Sequence, residues 1–532
     1  VRVISSRGRS IAAPSITDRA LVKVRNTIIG VSAFALALAG CGNNSTTVPG
    51  FPVASPSAPL GASPSPNPHP SASTTPTAAA SATASASASA TPSASATAMP
   101  SASAAPASSA YIKHIVIIIQ ENRAFDTLFH GFSEPSGRQA DYANVGYDKA
   151  GNAIPLQQIE LEGYYSPSHG HGDFYADYDN GKNDGFKDNN NGTAANTGNY
   201  GYAYLDQTEI QPYWDMAHNG ALAERFFHGV TASTWSSHLM FVAGSTTYDG
   251  NPNHRVVGNP QINLGWGCED GNPSDHTATI DPATNVISPG PFPCFTGVTT
   301  IADLLQNAGR SWHYYSGLVS KTVIDSSGDT LTTPGGNLNA LATYTQIFNG
   351  PTWSANAIMP ETRILADVPA GTLADVTYVV PEGPNSDIAQ GGTATGPQWV
   401  ASVVNTIGQS QFWKNTAIFV TWDDWGGWYD HVPPPQKYGY FGLGFRIPLI
   451  AISPYAKAGQ LIDTQLEPGS VLKFVEETFD LPSLGTTDAT SNSASVMFDF
   501  TQPPANFATV SSKLRAKDFL ARPPDTRPVD PD

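Results

Sequence analysis

The chain has 532 residues, 40% of them hydrophobic, and a formal net charge of −17. It is too long for one small domain, and its acidic balance repels nucleic acid and anionic lipid at long range, so a nucleic-acid partner is not expected. An anionic substrate stays open, because a bound cation reverses the local sign.

Residues 1–40 carry Arg2, Arg7, Arg9, Arg19, Lys23 and Arg25 against the single acid Asp18. The apolar run at 27–39 is too short and too rich in small residues to span a bilayer. A basic segment, a short apolar segment and small residues after it describe a secretory signal over 1–40. Its removal leaves 21 basic and 43 acidic side chains, a net charge of −22. The ending Leu38-Ala39-Gly40-Cys41 resembles a bacterial lipobox. This implies cleavage before Cys41, a lipid on its sulfur, and an exported protein anchored to a membrane at the cell surface. The alternative is a plain signal peptide with an incidental cysteine.

Residues 41–110 are almost entirely Ser, Ala, Pro and Thr, as in "SATASASASATPSASATAMPSASAAPASS". Without apolar periodicity nothing offsets the entropy of ordering, so this stretch is expected to be a disordered tether.

From residue 111 the pattern changes. "IVIII", "DVTYVV", "AIFVTW" and "PLIAIS" are short apolar runs rich in β-branched residues. "TIADLLQNAG", "GPQWVASVVNTIGQ" and "SVLKFVEETF" show helical spacing. The alternation predicts an α/β fold, a three-layer sandwich around a largely parallel sheet. The stretch 139–215, rich in Asn, Gly, Tyr and Asp, reads as a long insertion after the first strand, lying over one edge. One catalytic domain over 111–515 and a tail at 516–532 complete the expected organisation. With Cys41 set aside, Cys268 and Cys294 remain, and an exported protein pairs them as a disulfide. The alternative is a Cys/His metal site with His276, although the spacing matches no zinc pattern.

The chemistry gathers at strand ends, where open α/β sheets collect their ligands. The first strand runs straight into Gln120-Glu121-Asn122-Arg123, and "AIFVTW" runs into Asp423-Asp424. Hard divalent cations require several oxygen ligands, which two such ends side by side would supply. Alternatively, Asp423 caps the next segment and Asp424 faces water. In "HGVTASTWSSHLMFVAGS" a helix is predicted over 235–244, with Ser233-Thr234 at its start. A hydroxyl there lies in the positive end of the helix dipole, as nucleophile or as an ordinary N-cap.

Taken together, "HIVIIIQENRAFDTLFHGF", "SPSHGHGDFYADYDNGKNDGF", the Thr-initiated helix with His238, "TWDDWGGWYDHVPPP" and "FRIPLIAISPYAKAG" resemble the bacterial phosphoesterase family. That family contains phospholipases C and acid phosphatases within the alkaline-phosphatase-like superfamily, and the resemblance covers most of 112–490. It implies an alkaline-phosphatase-like fold in which Glu121, Asn122, Thr234, Asp423 and Asp424 surround one divalent metal ion of unspecified identity. Thr234 would be the nucleophile on a phosphate-ester substrate, with Asn122 and His169 donating hydrogen bonds to the phosphoryl oxygens. His238 and His431 match usual family positions, and a structural role is open for each. Three positions depart from the pattern: Ile388 in "NSDI", and Asp463 and Leu466 in "LIDTQLEPGS", stand where relatives carry histidines. Asp387 and Asp463 are then the remnants of any further ligand set, and a one-metal site is expected. Trp422, Trp425, Trp428 and Tyr429 cluster near the proposed site, either to hold a quaternary ammonium group or simply to pack. The expected activity is metal-dependent hydrolysis of phosphoric esters; the alternative is a degenerate member that binds a phosphorylated or glycan ligand without turnover.

Overall fold

The computed structural model describes residues 107–162, 167–186, 199–260, 266–269, 274, 276–281, 284, 286–324, 330–388 and 395–525. The signal, the lipidation site at Cys41 and nearly all of the tether lie outside these residues.

The core is one eight-stranded sheet. In chain order the first elements are β1 (His114–Gln120), α1 (Phe125–Phe129), α2 (His171–Tyr178), α3 (Gln207–Asn219), β2 (Ala221–Ala223) and α4 (Thr234–Ala243). Next come α5 (Ile301–Asn307), β3 (Trp312–Ser316), β4 (Ala357–Ile358), β5 (Val376–Val380) and α6 (Gly396–Gly408). The last are β6 (Thr416–Trp422), β7 (Leu449–Ile452), β8 (Gln460–Ile462), α7 (Pro468–Phe479) and α8 (Ala516–Leu520). Across the sheet the order is β4-β3-β5-β1-β6-β7-β2-β8. Only β7 runs antiparallel to its neighbours; the other pairings are parallel.

β1 is central because it is apolar on both faces. Ile115 to Ile119 are wholly inaccessible, as a parallel strand covered on both sides requires. Strand parity identifies the two covering layers. Phe419 of β6 packs on Phe474 of α7 at 5.4 Å, whereas Trp422, three residues on, packs on Tyr213 of α3 at 4.9 Å. Odd separation along a strand reverses the face, so α3 and α7 cover opposite sides. α6 lies with α3, and α4 lies with α7. The predicted α/β sandwich is what forms. The helix in "TIADLLQNAG" starts as its sequence suggests: Thr300 accepts from Asp303 N–H while Asp303 bonds back to Thr300 N–H.

Two features extend or correct the sequence expectations. The described aromatic residues of 139–215 do not lie along a sheet edge. Phe174, Phe186 and Tyr202 pack with Trp425, Trp428, Tyr429 and Phe445, which follow β6 or precede β7. They therefore sit over the carboxyl end of the central strands, and the last part of the stretch, α3, packs on α6 and β7. Aromatic side chains anchor this placement on the apolar surface of the loops after β6. At the other end packing continues past residue 515: Phe519 of α8 is buried against Trp399 of α6, ring centroids 5.4 Å apart. Cys268 and Cys294 form a disulfide, and the His276 ring meets the Thr277 carbonyl instead of the sulfurs.

Candidate active site

Register brings the site together. β1 and β6 are parallel neighbours with Gln120 opposite Trp422, so the residues after each strand emerge side by side. The pairing continues one step beyond the sheet: Asp423 N–H donates to Gln120 O at 2.9 Å, and Arg123 N–H to Asp424 O at 3.1 Å. Asn122 N–H donates to Asp423 Oδ1 at 2.9 Å, with Asn122 in the left-handed region at φ 63°. Gly426 N–H donates to Asp424 Oδ1 at 2.7 Å.

α4 delivers the third part. Ser233 is its N-cap and makes no side-chain cap bond; the Asn259 side chain accepts from Trp235 N–H at 2.8 Å instead. Thr234 is the first helical residue, so its hydroxyl is not spent as the cap that the sequence left open. Its Oγ1 lies 3.5 Å from both Asn122 Oδ1 and Asp424 Oδ2. One turn on, on the same face, His238 Nε2 is 3.6 Å from Glu121 Oε1. Ligand atoms of Glu121, His238 and Asp423 all lie within 4.8 Å of one another.

The electrostatics of this cluster suit a cation. Glu121, Asn122, Asp423 and Asp424 are fully inaccessible. Burial, then the Glu121 charge, pushes the Asp423 carboxyl up to about 7. Arg123 is next in sequence but does not neutralise them. It donates to Asn122 O at 2.9 Å and Leu161 O at 3.1 Å, and its guanidinium lies over Trp428 at 5.1 Å. Crowded buried carboxylates, a carboxamide, a hydroxyl and one imidazole form a donor set that fits a divalent ion.

His169 comes from the loop before α2 and is wholly buried. Its Nδ1 faces the Pro167 carbonyl at 2.9 Å, which makes that nitrogen the donor, and its Nε2 is 3.3 Å from Asn122 Nδ2. In a neutral ring Nε2 is therefore an acceptor, and only the imidazolium donates there.

The remaining sequence candidates separate. His238 joins the cluster. Asp387 does not: it accepts from Tyr213 Oη at 2.7 Å and Trp422 Nε1 at 2.9 Å, and burial raises its carboxyl to about 6. Ile388 and Leu466 are buried. Asp463 is mostly exposed and pairs with Arg138, which also binds Glu224, so the structure groups it with a surface ion network and not with the Asp423 cluster. His431 contacts Asp126 at 2.7 Å and Asp141 at 3.1 Å in a separate network. Trp425, Trp428 and Tyr429 are packed into an aromatic cluster, with Arg123 over one face of Trp428. Sequence reasoning missed His228, whose Nε2 meets Ser237 Oγ at 2.5 Å behind α4, and Asp177, which accepts from Trp425 Nε1 at 3.2 Å. Both lie in quoted motifs, but nothing in their spacing sets them apart from their neighbours.

A family model described as the phosphoesterase family matches residues 112–482. A non-hemolytic phospholipase C of Burkholderia pseudomallei is 23% identical over 429 residues, covering 69% of this chain and 55% of that protein. Phospholipase C A of Mycobacterium tuberculosis is 23% identical over 454 residues, covering 75% of this chain and 79% of that protein. The chain thus spans about half the length of the Burkholderia relative and of a hemolytic phospholipase C of Pseudomonas aeruginosa. Among solved structures, a protein in the alkaline phosphatase superfamily from Vibrio parahaemolyticus overlaps with a TM-score of 0.31 at 12% identity, covering 75% of this chain and 72% of that one.

Proposed function

The chain belongs to the phosphoesterase family, and from that premise we propose that it hydrolyses phosphoric esters with a divalent metal ion and Thr234 as nucleophile. The observation that carries this reading is the Thr234 hydroxyl. It sits at the first position of a ten-residue helix, is not used as a cap, and lies 3.5 Å from Asp424 Oδ2 and from Asn122 Oδ1.

In the first step Thr234 Oγ bonds to phosphorus as the ester P–O bond breaks. The hydroxyl proton passes to Asp424 Oδ2, the leaving alkoxide takes a proton from water, and the hydroxide so formed removes the proton from Asp424. The amino end of α4 favours the phosphoryl charge. Asn122 Nδ2 turns from His169 to a phosphoryl oxygen, and His169 adds a second donor once its ring is protonated. Water then attacks the phosphothreonine, releasing the phosphate product and restoring the hydroxyl. A divalent ion held by Glu121, Asn122, Thr234, Asp423 and Asp424, with His238 beside it, would lower the hydroxyl pKa and neutralise phosphoryl charge.

The phospholipases C among the relatives support a phosphodiester substrate of the phospholipid type, with phosphomonoesters as the other class. Export and lipid anchoring at Cys41, with 41–110 as a tether, belong to the same proposal. The Cys268–Cys294 disulfide supports an oxidising compartment, and among the described residues no helix is long and apolar enough to cross a membrane.

The test is hydrolysis of p-nitrophenyl phosphate, bis-p-nitrophenyl phosphate and phosphatidylcholine by the full chain, before and after chelation. Turnover that chelator abolishes and a divalent ion restores is expected. Metal binding with no turnover on any ester would overturn the enzymatic reading in favour of a binding protein.

A further inference from the structure

Behind the catalytic cluster lies a second group that the reaction does not use. Arg446, just before β7, is wholly buried between two wholly buried carboxylates. Its Nε–H donates to Asp430 Oδ1 at 2.8 Å, one Nη to Asp126 Oδ1 at 2.9 Å, and the other Nη to Glu224 O at 3.1 Å. The guanidinium also lies over the Phe125 ring at 4.6 Å, and Phe125 N–H returns a bond to Arg446 O at 3.0 Å. The carboxylates cross-link in turn. Asp126 N–H donates to Asp430 Oδ2 at 3.3 Å, and His431 N–H to Asp126 Oδ2 at 3.1 Å. His431 Nδ1 meets that same Asp126 oxygen at 2.7 Å, while its Nε2 reaches Asp141 Oδ1 at 3.1 Å.

The placement of these residues gives the group its meaning. Asp126 is five residues after Glu121 on the β1 segment, and Asp430 is six after Asp424 on the β6 segment. Asp126, Asp430 and His431 are close enough to suit a metal ion, but Arg446 already supplies the positive charge there. The two carboxylates take different nitrogens of one planar guanidinium, so Arg446 ties the two segments to each other.

We propose that Arg446, Asp126, Asp430 and His431 form an ionic clamp of positioning residues that holds the Glu121-Asn122 and Asp423-Asp424 segments in the mutual register needed to bind the metal ion. The clamp touches neither substrate nor the reacting atoms. Its functional consequence rests on the phosphoesterase reading above; its mechanical role does not.

The experiment compares wild type, Arg446→Lys, His431→Gln and a remote core control, Phe519→Ala, as full-length chains. Mn²⁺ affinity is measured by calorimetry, kinetics on bis-p-nitrophenyl phosphate, and amide exchange over 121–126 and 423–432. In Arg446→Lys and His431→Gln, Mn²⁺ binding and kcat should each fall by about tenfold with KM within about twofold, as misplacement without lost substrate contact predicts. Exchange should rise in both segments together. Phe519→Ala should lower thermal stability with Mn²⁺ affinity unchanged, which separates positioning from general destabilisation. If Arg446→Lys does not fold, His431→Gln decides alone. Wild-type affinity and exchange in a folded clamp variant, or equal loss of Mn²⁺ affinity in Phe519→Ala, would overturn the clamp. A wild-type chain that neither binds Mn²⁺ nor turns over ester defeats the phosphoesterase reading, while the exchange comparison still decides the clamp.

Discussion

Gly426 lies directly against Asn122: a Cβ on Gly426 would stand 2.3 Å from the Asn122 carbonyl oxygen, and both residues occupy the left-handed region, at φ 61° and 63°. Asn tolerates that conformation through its short polar side chain, while at Gly426 the absence of a Cβ is required twice, by φ and by contact. The carbonyl that would be struck also accepts from Arg123 at 2.9 Å, so it cannot simply rotate away.

Gly426→Ala should therefore damage the site more than the fold. The left-handed conformation costs about 1–2 kcal/mol for an L-residue, and the contact displaces Asn122 and with it the Asp423 bond. Turnover should fall by about 100-fold, the scale set by a displacement near 1 Å. Circular dichroism should change little. An alanine variant with wild-type kcat would show that Asn122 is not held by this contact.

Thr234→Ala should remove turnover and leave stability nearly unchanged. Trp235 N–H is capped by Asn259, so the substitution does not take the roughly 1 kcal/mol that loss of a true N-cap costs. Thr234→Ser should retain part of the rate. Acid-quenched wild type should carry phosphate on the peptide containing Thr234, detected by mass spectrometry. Turnover in the alanine variant would end the phosphothreonine mechanism.

Glu382 predicts a pH dependence of stability. Burial, then the charge of Glu361, raises its carboxyl to about 8, and burial also raises Glu361. The folded state thus holds a proton that the unfolded chain, with its ordinary value of 4.5, releases much earlier. This contribution to stability is present in full below about 4.5 and is lost as pH rises towards 8. Glu382→Gln keeps an acceptor for the Asp525 N–H, which now bonds Glu382 at 2.7 Å, and cannot ionise. The variant should gain Tm over wild type progressively between pH 5 and 8. A Tm difference that stays flat across that window would refute the assignment.

Asp463→His tests whether histidines are missing from this site. Asp463 pairs with Arg138 beside Glu224, and Arg138 and Asp141 connect that network to the surface. An imidazole at 463 would join those groups. Turnover should stay within about twofold, as for a surface substitution remote from the chemistry, and metal stoichiometry should not rise. A second bound metal equivalent in Asp463→His would contradict this placement.

The two strand ends that meet in the candidate site were legible in the sequence because their positions follow from strand direction. A run of five β-branched apolar residues at 115–119 has to be buried on both faces, so Glu121 and Asn122 must emerge at its carboxyl end, and "AIFVTW" places Asp423 and Asp424 the same way. The alternation of strands and helices likewise pointed to the sandwich, and the expectation of export with two remaining cysteines pointed to the disulfide. The strand and helix signals are local patterns, readable because each depends on neighbours within a few residues; the disulfide was readable because only two cysteines remained to pair.

Tertiary structure alone decided the rest, since it depends on which distant segments meet. Thr234 could have been the cap until the fold made Ser233 the N-cap, with Asn259, 24 residues from Trp235, accepting the Trp235 N–H. Asp387 could have been a metal ligand until Tyr213 and Trp422 claimed its carboxylate from another helix and strand. The aromatic residues of 139–215 carry no periodicity that distinguishes a sheet edge from the loops around Trp425. Arg446 gives no sign in sequence of the two carboxylates it joins, 320 and 16 residues away. A short-range code sets which residues leave each strand end; only packing, through contacts of large sequence separation, sets what those residues face.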